Sequence, residues 1–224
     1  MKIDVKICGL KTGEAMAAAL DHGASHVGLI FFEKSPRHVT LQQASELRAM
    51  ARDRAQVVAV TVNAEDATLA EIVRVVKPDM LQLHGSETTA HVRGLKRKFG
   101  LPVMKALAIR DAHDLDQVER YMNVADRLLF DAKAPKNAAV PGGRGVSFDW
   151  TLLSEIDPSI DYVLSGGLNA LNIARALSIA RPGGIDVSSG VETAPGEKSP
   201  QLIADFFEAL RSVPGIETRQ VAVQ

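Results

Sequence analysis

The chain contains one thiol, Cys8, and a carboxyl group, Asp131, that each follow a short run of aliphatic residues. A thiolate can remove a proton and a carboxylic acid can donate one, so the pair suits general acid–base catalysis. Each residue also has a structural interpretation. A single cysteine is often a small buried hydrophobic residue, and an aspartate at the end of a strand often caps a loop or a helix.

Two segments that follow apolar runs are rich in glycine and serine. They are Ser165-Gly166-Gly167 and Asp186-Val187-Ser188-Ser189-Gly190. Glycine lets backbone N–H groups approach a ligand, serine adds a hydroxyl donor, and a following helix favours an anion at its first turn. Turns use the same residues, so each segment alone is a weak signal. Together they predict a phosphate-binding site.

Arg37 and His84 are the remaining candidate site residues. The planar guanidinium of Arg37 suits a carboxylate, although a surface arginine in a loop is equally compatible with its position. His84 follows Gln82 by two residues, and both are predicted to line the site. A metal role for His84 is disfavoured because no second ligand follows at metal-binding spacing, and a single cysteine cannot form a Cys-rich metal site.

Short aliphatic runs predict the strands that carry these residues. They span residues 3–8, 27–32, 56–62, 80–83, 103–107, 127–130, 161–164 and 184–187. Most are continuously hydrophobic, which is typical of parallel strands covered on both faces. Amphipathic segments between them predict helices. Thr40 and Gln43 have capping-box spacing, Asn63 and Asn169 are predicted N-caps, and Pro200 suits a first helical position.

This repeat favours a single-domain α/β protein, a (β/α)8 TIM barrel, over an open doubly wound sheet. No linker divides the chain, and the G-x-G-x-x-G dinucleotide fingerprint is missing. We predict a catalytic barrel domain over residues 1–212 and a surface tail over residues 213–224. In such a barrel the active site lies at the carboxyl ends of the strands, where all the candidate residues fall.

Composition excludes several functional classes. Lys and Arg number 26 against 27 Asp and Glu, and a net charge of −1 provides no basic field for a nucleic acid. No apolar run is long enough for a transmembrane helix, and the first residues do not form a signal-peptide core. We expect a cytoplasmic protein without a nucleic-acid or membrane partner. Its oligomeric state is left open by the sequence.

In combination, these segments resemble the phosphoribosylanthranilate isomerases of tryptophan biosynthesis. The motifs that carry the resemblance are Lys6-Ile7-Cys8-Gly9-Leu10, Lys34-Ser35-Pro36-Arg37, Gln82-Leu83-His84-Gly85, Asp131, Gly142-Gly143, Phe148-Asp149-Trp150, Ser165-Gly166-Gly167-Leu168-Asn169 and Asp186-Val187-Ser188-Ser189-Gly190-Val191-Glu192. They occur in order over nearly the whole chain. The first and last of them are the most specific.

The resemblance implies a reaction and a role for each matching residue. The reaction is an Amadori rearrangement of N-(5-phosphoribosyl)anthranilate, a small phosphosugar, to 1-(2-carboxyphenylamino)-1-deoxyribulose 5-phosphate, without a cofactor or a metal. Cys8 is implied as the general base, Asp131 as the general acid and Arg37 as the partner of the anthranilate carboxylate. The two glycine–serine segments are implied as the phosphate site.

Two other interpretations fit the sequence less well. Indole-glycerol-phosphate synthases need Lys and Glu at strand ends and pentose-phosphate epimerases need paired His and Asp ligands, and neither set is present. A non-catalytic barrel that retains phosphate binding is disfavoured because both Cys8 and Asp131 are present. Lys11, Arg144 and Val146 depart from the family pattern, and we expect them to affect lid contacts and substrate affinity rather than the reaction.

Overall fold

The computed structural model describes residues 1–132 and 147–219, in which eight parallel strands close into a barrel. They are β1 (Lys2–Cys8), β2 (His26–Phe31), β3 (Gln56–Thr61), β4 (Met80–Leu83), β5 (Val103–Ile109), β6 (Arg127–Ala132), β7 (Tyr162–Leu164) and β8 (Gly184–Val187). Each strand pairs with the next in sequence, and β8 pairs with β1. The predicted barrel is confirmed, and the predicted strand ends agree with the observed ones to within two residues.

Helices connect the strands on the outside of the barrel. They are α1 (Gly13–Asp21), α2 (Leu41–Ala51), α3 (Asp66–Val76), α4 (Thr89–Phe99), α5 (Asp116–Tyr121), α6 (Ile173–Ile179) and α7 (Pro200–Arg211). A 3₁₀ helix, Trp150–Glu155, follows β6. No helix in the described ranges is both long enough and apolar enough to span a membrane.

The helix ends follow the capping rules in part. The Thr40 hydroxyl accepts from the Gln43 amide and the Gln43 side chain accepts from the Thr40 amide, so the predicted capping box is present. The prediction that Asn63 and Asn169 are helix N-caps is wrong. Asn63 has a left-handed backbone (φ 48°) and α3 begins three residues later, while α6 begins at Ile173 after Asn172. Loop geometry rather than residue type decides where those two helices start.

Both faces of the barrel strands are buried, which explains their continuous apolar runs. On β3, Val57 and Ala59 pack outward with the layer beneath the helices, whereas Val58 and Val60 pack inside the barrel. Side chains alternate between the faces of a strand, so most positions of each strand are apolar and fill both layers. Buried polar residues with polar partners also lie inside the strands, among them Lys6, Gln82 and Lys105.

Short strands extend the fold beyond the barrel. An antiparallel hairpin of β9 (Glu192–Ala194) and β10 (Glu197–Lys198) follows β8. A further short strand, β11 (Glu217–Thr218), pairs in parallel with the start of β1. The first part of the expected tail thus adds to the sheet, and the boundary of the barrel domain at residue 212 stays a prediction.

Charged groups close the amino-terminal end of the barrel. Arg127 of β6 donates from Nη1 to Asp4 Oδ2 of β1 at 2.7 Å, and Arg219 Nη1 reaches the same oxygen at 3.2 Å. His26, at the start of β2, is buried next to this group, and its Nδ1 lies 2.9 Å from Ser25 Oγ. Burial, together with the positive charge of Arg127 and against the opposing charge of Asp4, lowers the pKa of His26 to about 4.

We expect acidification to destabilise the fold through His26. The pKa of His26 is about 4 in the folded chain, against 6.5 for an unperturbed histidine, so the unfolded chain binds the extra proton between these pH values. The free energy of unfolding therefore falls as the pH drops through this window, by at most about 1.4 kcal/mol per pH unit from this group. Urea denaturation between pH 7.5 and 5 should show a shallower pH dependence for His26→Gln than for the unmodified chain. Equal slopes in the two proteins would contradict this assignment.

Candidate active site

Cys8 ends β1 with its side chain inside the barrel, beside a buried ion pair. Lys6, two residues earlier, lies on the same face of the strand because side chains alternate. Lys6 Nζ donates to Asp186 Oδ1 of β8 at 2.9 Å, and both side chains are at most 5% exposed. The predicted site residue Asp186 is therefore held by the lysine of the first motif.

Gly28 of β2 makes room for the thiol and the ammonium group. It is the register partner of Cys8 on the neighbouring strand. A Cβ at position 28 would lie 2.8 Å from Cys8 Sγ and 3.1 Å from Lys6 Nζ, so a side chain there would displace both groups. Sequence patterns did not single out Gly28, whereas Lys6 belongs to the first motif and was one possible source of stabilisation for the thiolate if it turned inward. A glycine inside an aliphatic strand was the available signal, since it often marks a close approach.

Burial raises the pKa of the Cys8 thiol, because removing the thiolate from water disfavours its charge. The positive charges of Lys6 and Lys198 act in the opposite direction, and the Asp186 carboxylate adds to the increase. Burial also acts to lower the pKa of Lys6, but the neighbouring Asp186 and Cys8 bring it above its usual value. Lys6 is thus a persistent cation beside a thiol that needs a cation to ionise.

Asp131 lies on β6, buried, in contact with the histidine that follows β4. His84 Nε2 is 3.2 Å from Asp131 Oδ2, and the fully buried Gln82 donates from Nε2 to His84 Nδ1 at 3.3 Å. A Gln82 amide that donates to Nδ1 requires the neutral ring to carry its hydrogen on Nε2, the nitrogen that faces the carboxyl group. Gln82 and His84 therefore hold the Asp131 carboxyl group in place, and their role as lining of the substrate site stays a prediction.

The loop that carries His84 is held by a second buried ion pair, which the sequence did not reveal. Lys105 Nζ of β5 lies 3.1 Å from Glu87 Oε2 and also donates to the Gly85 carbonyl at 2.7 Å. Glu87 in turn accepts from the Gly85 and Asn63 amides. A cavity of about 250 Å³ opens next to this loop, lined in part by His84 and Lys105. The contacts fix the backbone on either side of His84.

Arg37 is buried and makes a two-pronged ion pair across the barrel mouth. Its Nε donates to Glu192 Oε1 at 2.7 Å and its Nη2 to Glu192 Oε2 at 2.6 Å. Lys198 also donates to Glu192. Burial acts to raise the pKa of Glu192, but Arg37 and Lys198 hold it below its usual value. Sequence reasoning missed Glu192 and Lys198 as partners, because an arginine 155 residues away in the chain carries no local signal.

The two glycine–serine segments form adjoining loops after β7 and β8. Gly166 and Gly167 have left-handed backbones (φ 89° and 68°), and a Cβ on Gly190 would lie 1.9 Å from the Leu168 carbonyl oxygen. Only glycine permits this contact between the loops. Within the described ranges, the loop amides without a protein acceptor include those of Gly166, Gly167, Ser189 and Gly190.

The same loops lie beside both candidate catalytic residues. Ser188 Oγ donates to the Cys8 carbonyl at 3.1 Å. A Cβ on Gly166 would lie 3.2 Å from Asp131 Oδ1. The structure thus collects the thiol, the carboxyl group and the predicted phosphate loops at one end of the barrel. Lys11 donates to the Pro36 carbonyl at 2.8 Å, next to Arg37.

Part of the predicted site lies outside the described residues. Gly142, Gly143, Arg144 and Val146 all fall within 133–146. The expectations about their loop contacts stay predictions.

Comparisons with known proteins identify the family. Residues 5–209 match the family model described as N-(5'phosphoribosyl)anthranilate (PRA) isomerase. An N-(5'-phosphoribosyl)anthranilate isomerase of Chelativorans sp. is 59% identical over 215 residues, which cover 96% of this chain and 99% of the relative.

Solved structures agree with this result. The crystal structure of phosphoribosyl anthranilate isomerase from Thermotoga maritima has a TM-score of 0.83 and 31% identity, covering 93% of this chain and 98% of that one. A phosphoribosyl anthranilate isomerase in complex with reduced 1-(o-carboxyphenylamino)-1-deoxyribulose 5-phosphate has a TM-score of 0.81 and 29% identity, with the same coverage of 93% and 98%. The chain belongs to the N-(5'-phosphoribosyl)anthranilate isomerase family.

Proposed function

We propose that Cys8 is the general base and Asp131 the general acid of the isomerisation that this family catalyses. The reaction is a step of tryptophan biosynthesis that converts N-(5-phosphoribosyl)anthranilate to 1-(2-carboxyphenylamino)-1-deoxyribulose 5-phosphate. The observation that carries the assignment is that the loops after β7 and β8 lie beside both residues: Ser188 Oγ donates to the Cys8 carbonyl, and a Cβ on Gly166 would lie 3.2 Å from Asp131 Oδ1. A phosphosugar bound by those loops has its ribose within reach of both groups.

The proposed steps move protons without any net change in atoms. Asp131 gives a proton to the ribose ring oxygen, the C1–O bond breaks, and the nitrogen lone pair forms a Schiff base at C1. The Cys8 thiolate then removes the C2 proton, and those electrons form the enolamine, which tautomerises to the ketone. C2 is oxidised as C1 is reduced, so the substrate is its own redox partner and needs no external oxidant.

Lys6 supports the second step. A buried thiol is a poor base at neutral pH unless a nearby cation stabilises the thiolate. Lys6 Nζ shares the space beside Gly28 with the sulfur, and Asp186 fixes the ammonium group there. The ion pair is formed before substrate arrives, so little reorganisation is needed when the thiolate forms.

The two ends of the substrate are held by different elements. The amides of Gly166, Gly167, Ser189 and Gly190 are donors for the phosphate. Since α6 has only seven residues and starts at Ile173, the loops rather than this helix end support the phosphate site. Arg37 is the proposed partner of the anthranilate carboxylate.

The proposal extends to the partners and the location of the chain. The ligand is a small phosphosugar, and a net charge of −1 supports the absence of a nucleic-acid partner. We place the enzyme in the cytoplasm, where this substrate class is metabolised, without a membrane partner.

Cys8→Ser tests the base. A hydroxyl is too weak an acid to serve as a ready base at neutral pH, so kcat should fall by about 10²–10⁴-fold while KM changes little. The measurement follows the loss of substrate fluorescence, with folding checked by circular dichroism. Asp131→Asn should lose kcat similarly and leave Cys8 reactive towards iodoacetamide.

Val58→Thr is the matched control for this experiment. It adds a hydroxyl to the same interior cluster as Cys8 and should leave kcat within about threefold. If kcat of a folded Cys8→Ser variant falls by less than about threefold, under conditions where chemistry limits the rate, Cys8 is not the general base and its role is structural.

Lys6→Met tests the support of the thiolate. Because Lys6 lowers the pKa of Cys8, its removal should move the acid-side midpoint of the kcat–pH profile to higher pH. Asp186 and Lys198 also act on the thiol, and the single variant leaves the Asp186 carboxylate buried without its partner. The double variant Lys6→Met/Asp186→Asn avoids that cost and should shift the midpoint in the same direction by less. An unchanged midpoint in a folded double variant would exclude Lys6 from this role.

Gly167→Asp tests the phosphate site. A carboxylate placed among the loop amides repels the phosphate, so KM should rise and inhibition by inorganic phosphate should weaken by about tenfold or more. Gly167→Asn is the matched control, because Asn has the same shape and tolerates the left-handed backbone found at this position. Identical KM values for the Asp and Asn variants would remove the phosphate from this loop.

A further inference from the structure

We propose that Lys198 and Glu192 form, with Arg37, a carboxylate-recognition triad in which Glu192 positions the guanidinium group and Lys198 supplies the excess positive charge. Neither Lys198 nor Glu192 contacts the substrate carboxylate in this arrangement. Both act through Arg37. The inference rests on the proposed role of Arg37 as the partner of the anthranilate carboxylate.

The triad is a built and buried structure. Glu192 accepts from Nε and Nη2 of Arg37, at 2.7 and 2.6 Å, which fixes the plane of the guanidinium group. The side chains of Arg37, Glu192 and Lys198 are 5%, 3% and 2% exposed. Glu192 and Lys198 are register partners in the β9–β10 hairpin, so the hairpin itself brings the lysine to the glutamate.

Charge balance explains why a lysine belongs there. Arg37 and Glu192 alone form a neutral pair, and the charge of Glu192 would repel a second carboxylate and so offset part of its attraction to the guanidinium group. Lys198 offsets the charge of Glu192 and leaves the buried cluster with a net charge of +1. A bound carboxylate of charge −1 then neutralises the cluster, which is the condition that a buried group of ions favours.

Lys198 also reaches the phosphate side of the site. Its Nζ lies 3.2 Å from the Ser188 carbonyl oxygen and 3.4 Å from Ser188 Oγ. A lysine that served only the Ser188 loop would affect every phosphosugar equally. A lysine that serves the triad affects only ligands that carry a carboxylate, and a pair of probes separates these two roles.

The test measures the affinities of two probes by calorimetry. The first is reduced 1-(o-carboxyphenylamino)-1-deoxyribulose 5-phosphate, the ligand of a related crystal structure. The second is the same compound with the carboxyl group replaced by hydrogen. Lys198→Met should weaken the first probe by about tenfold or more and the second by less than about threefold. Lys198→Arg, which keeps the charge, should retain most of the affinity for the first probe.

A charge-matched double variant makes the test decisive. Lys198→Met/Glu192→Gln removes one charge of each sign, leaves Arg37 with its +1, and buries no unpaired carboxylate. It should fold even where Lys198→Met does not. It should bind the first probe more tightly than Lys198→Met does, because the charge is restored, but less tightly than the unmodified chain, because Glu192 no longer fixes the plane of the guanidinium group. Equal weakening of both probes by Lys198→Met, or no recovery in the folded double variant, would overturn the triad.

Arg37→Ala distinguishes failure of the triad from failure of the proposed pairing between Arg37 and the anthranilate carboxylate. It should weaken the first probe far more than the second. If Arg37→Ala weakens both probes equally, the proposed role of Arg37 fails and the triad with it. If Arg37→Ala discriminates between the probes but the Lys198 variants do not, only the triad fails. These are binding measurements, so they stand whatever the roles of Cys8 and Asp131 prove to be.

Discussion

The pairing of β1 with β8 is the constraint on which the candidate site depends. It places Lys6 opposite Asp186 in register, although the two residues are 180 positions apart in the chain. The same closure brings Ser188 to the Cys8 carbonyl. If the sheet were open between β1 and β8, these two strands would lie at opposite edges. Lys6 would still lie beside the thiol on β1, but without Asp186 to hold its ammonium group and without the loop that is proposed to bind phosphate.

Three groups of oppositely charged side chains are buried at the mouth of this barrel. Lys6 with Asp186, Lys105 with Glu87, and Arg37 with Glu192 and Lys198 each join different strand ends. Replacing such ions by apolar residues is often neutral or stabilising, so their presence is weak evidence for a stabilising role. Their arrangement suits binding and catalysis instead, because fixed charges in a buried site act on an anionic substrate with little reorganisation.

Sequence patterns predicted the strands and the barrel because a strand that is buried on both faces is apolar at most of its positions. They also located Cys8, Asp131 and the glycine-rich loops, since a polar residue or a glycine directly after an apolar run is conspicuous. They failed at Asn63 and Asn169, where a residue suited to capping lies in a loop that turns before the helix begins. The ability of a side chain to cap a helix does not determine the path of the backbone around it.

The sequence by itself determined the eight strands, their order and the polar residues at their ends, because these depend on hydrophobic pattern and chain connectivity. Only the tertiary structure decided what those residues meet. The close approach at Gly28, the Gln82–His84–Asp131 row and the Arg37–Glu192–Lys198 triad all join residues from different strands or loops. A contact of this kind depends on barrel closure and on the direction of each side chain. The local sequence determines neither of them.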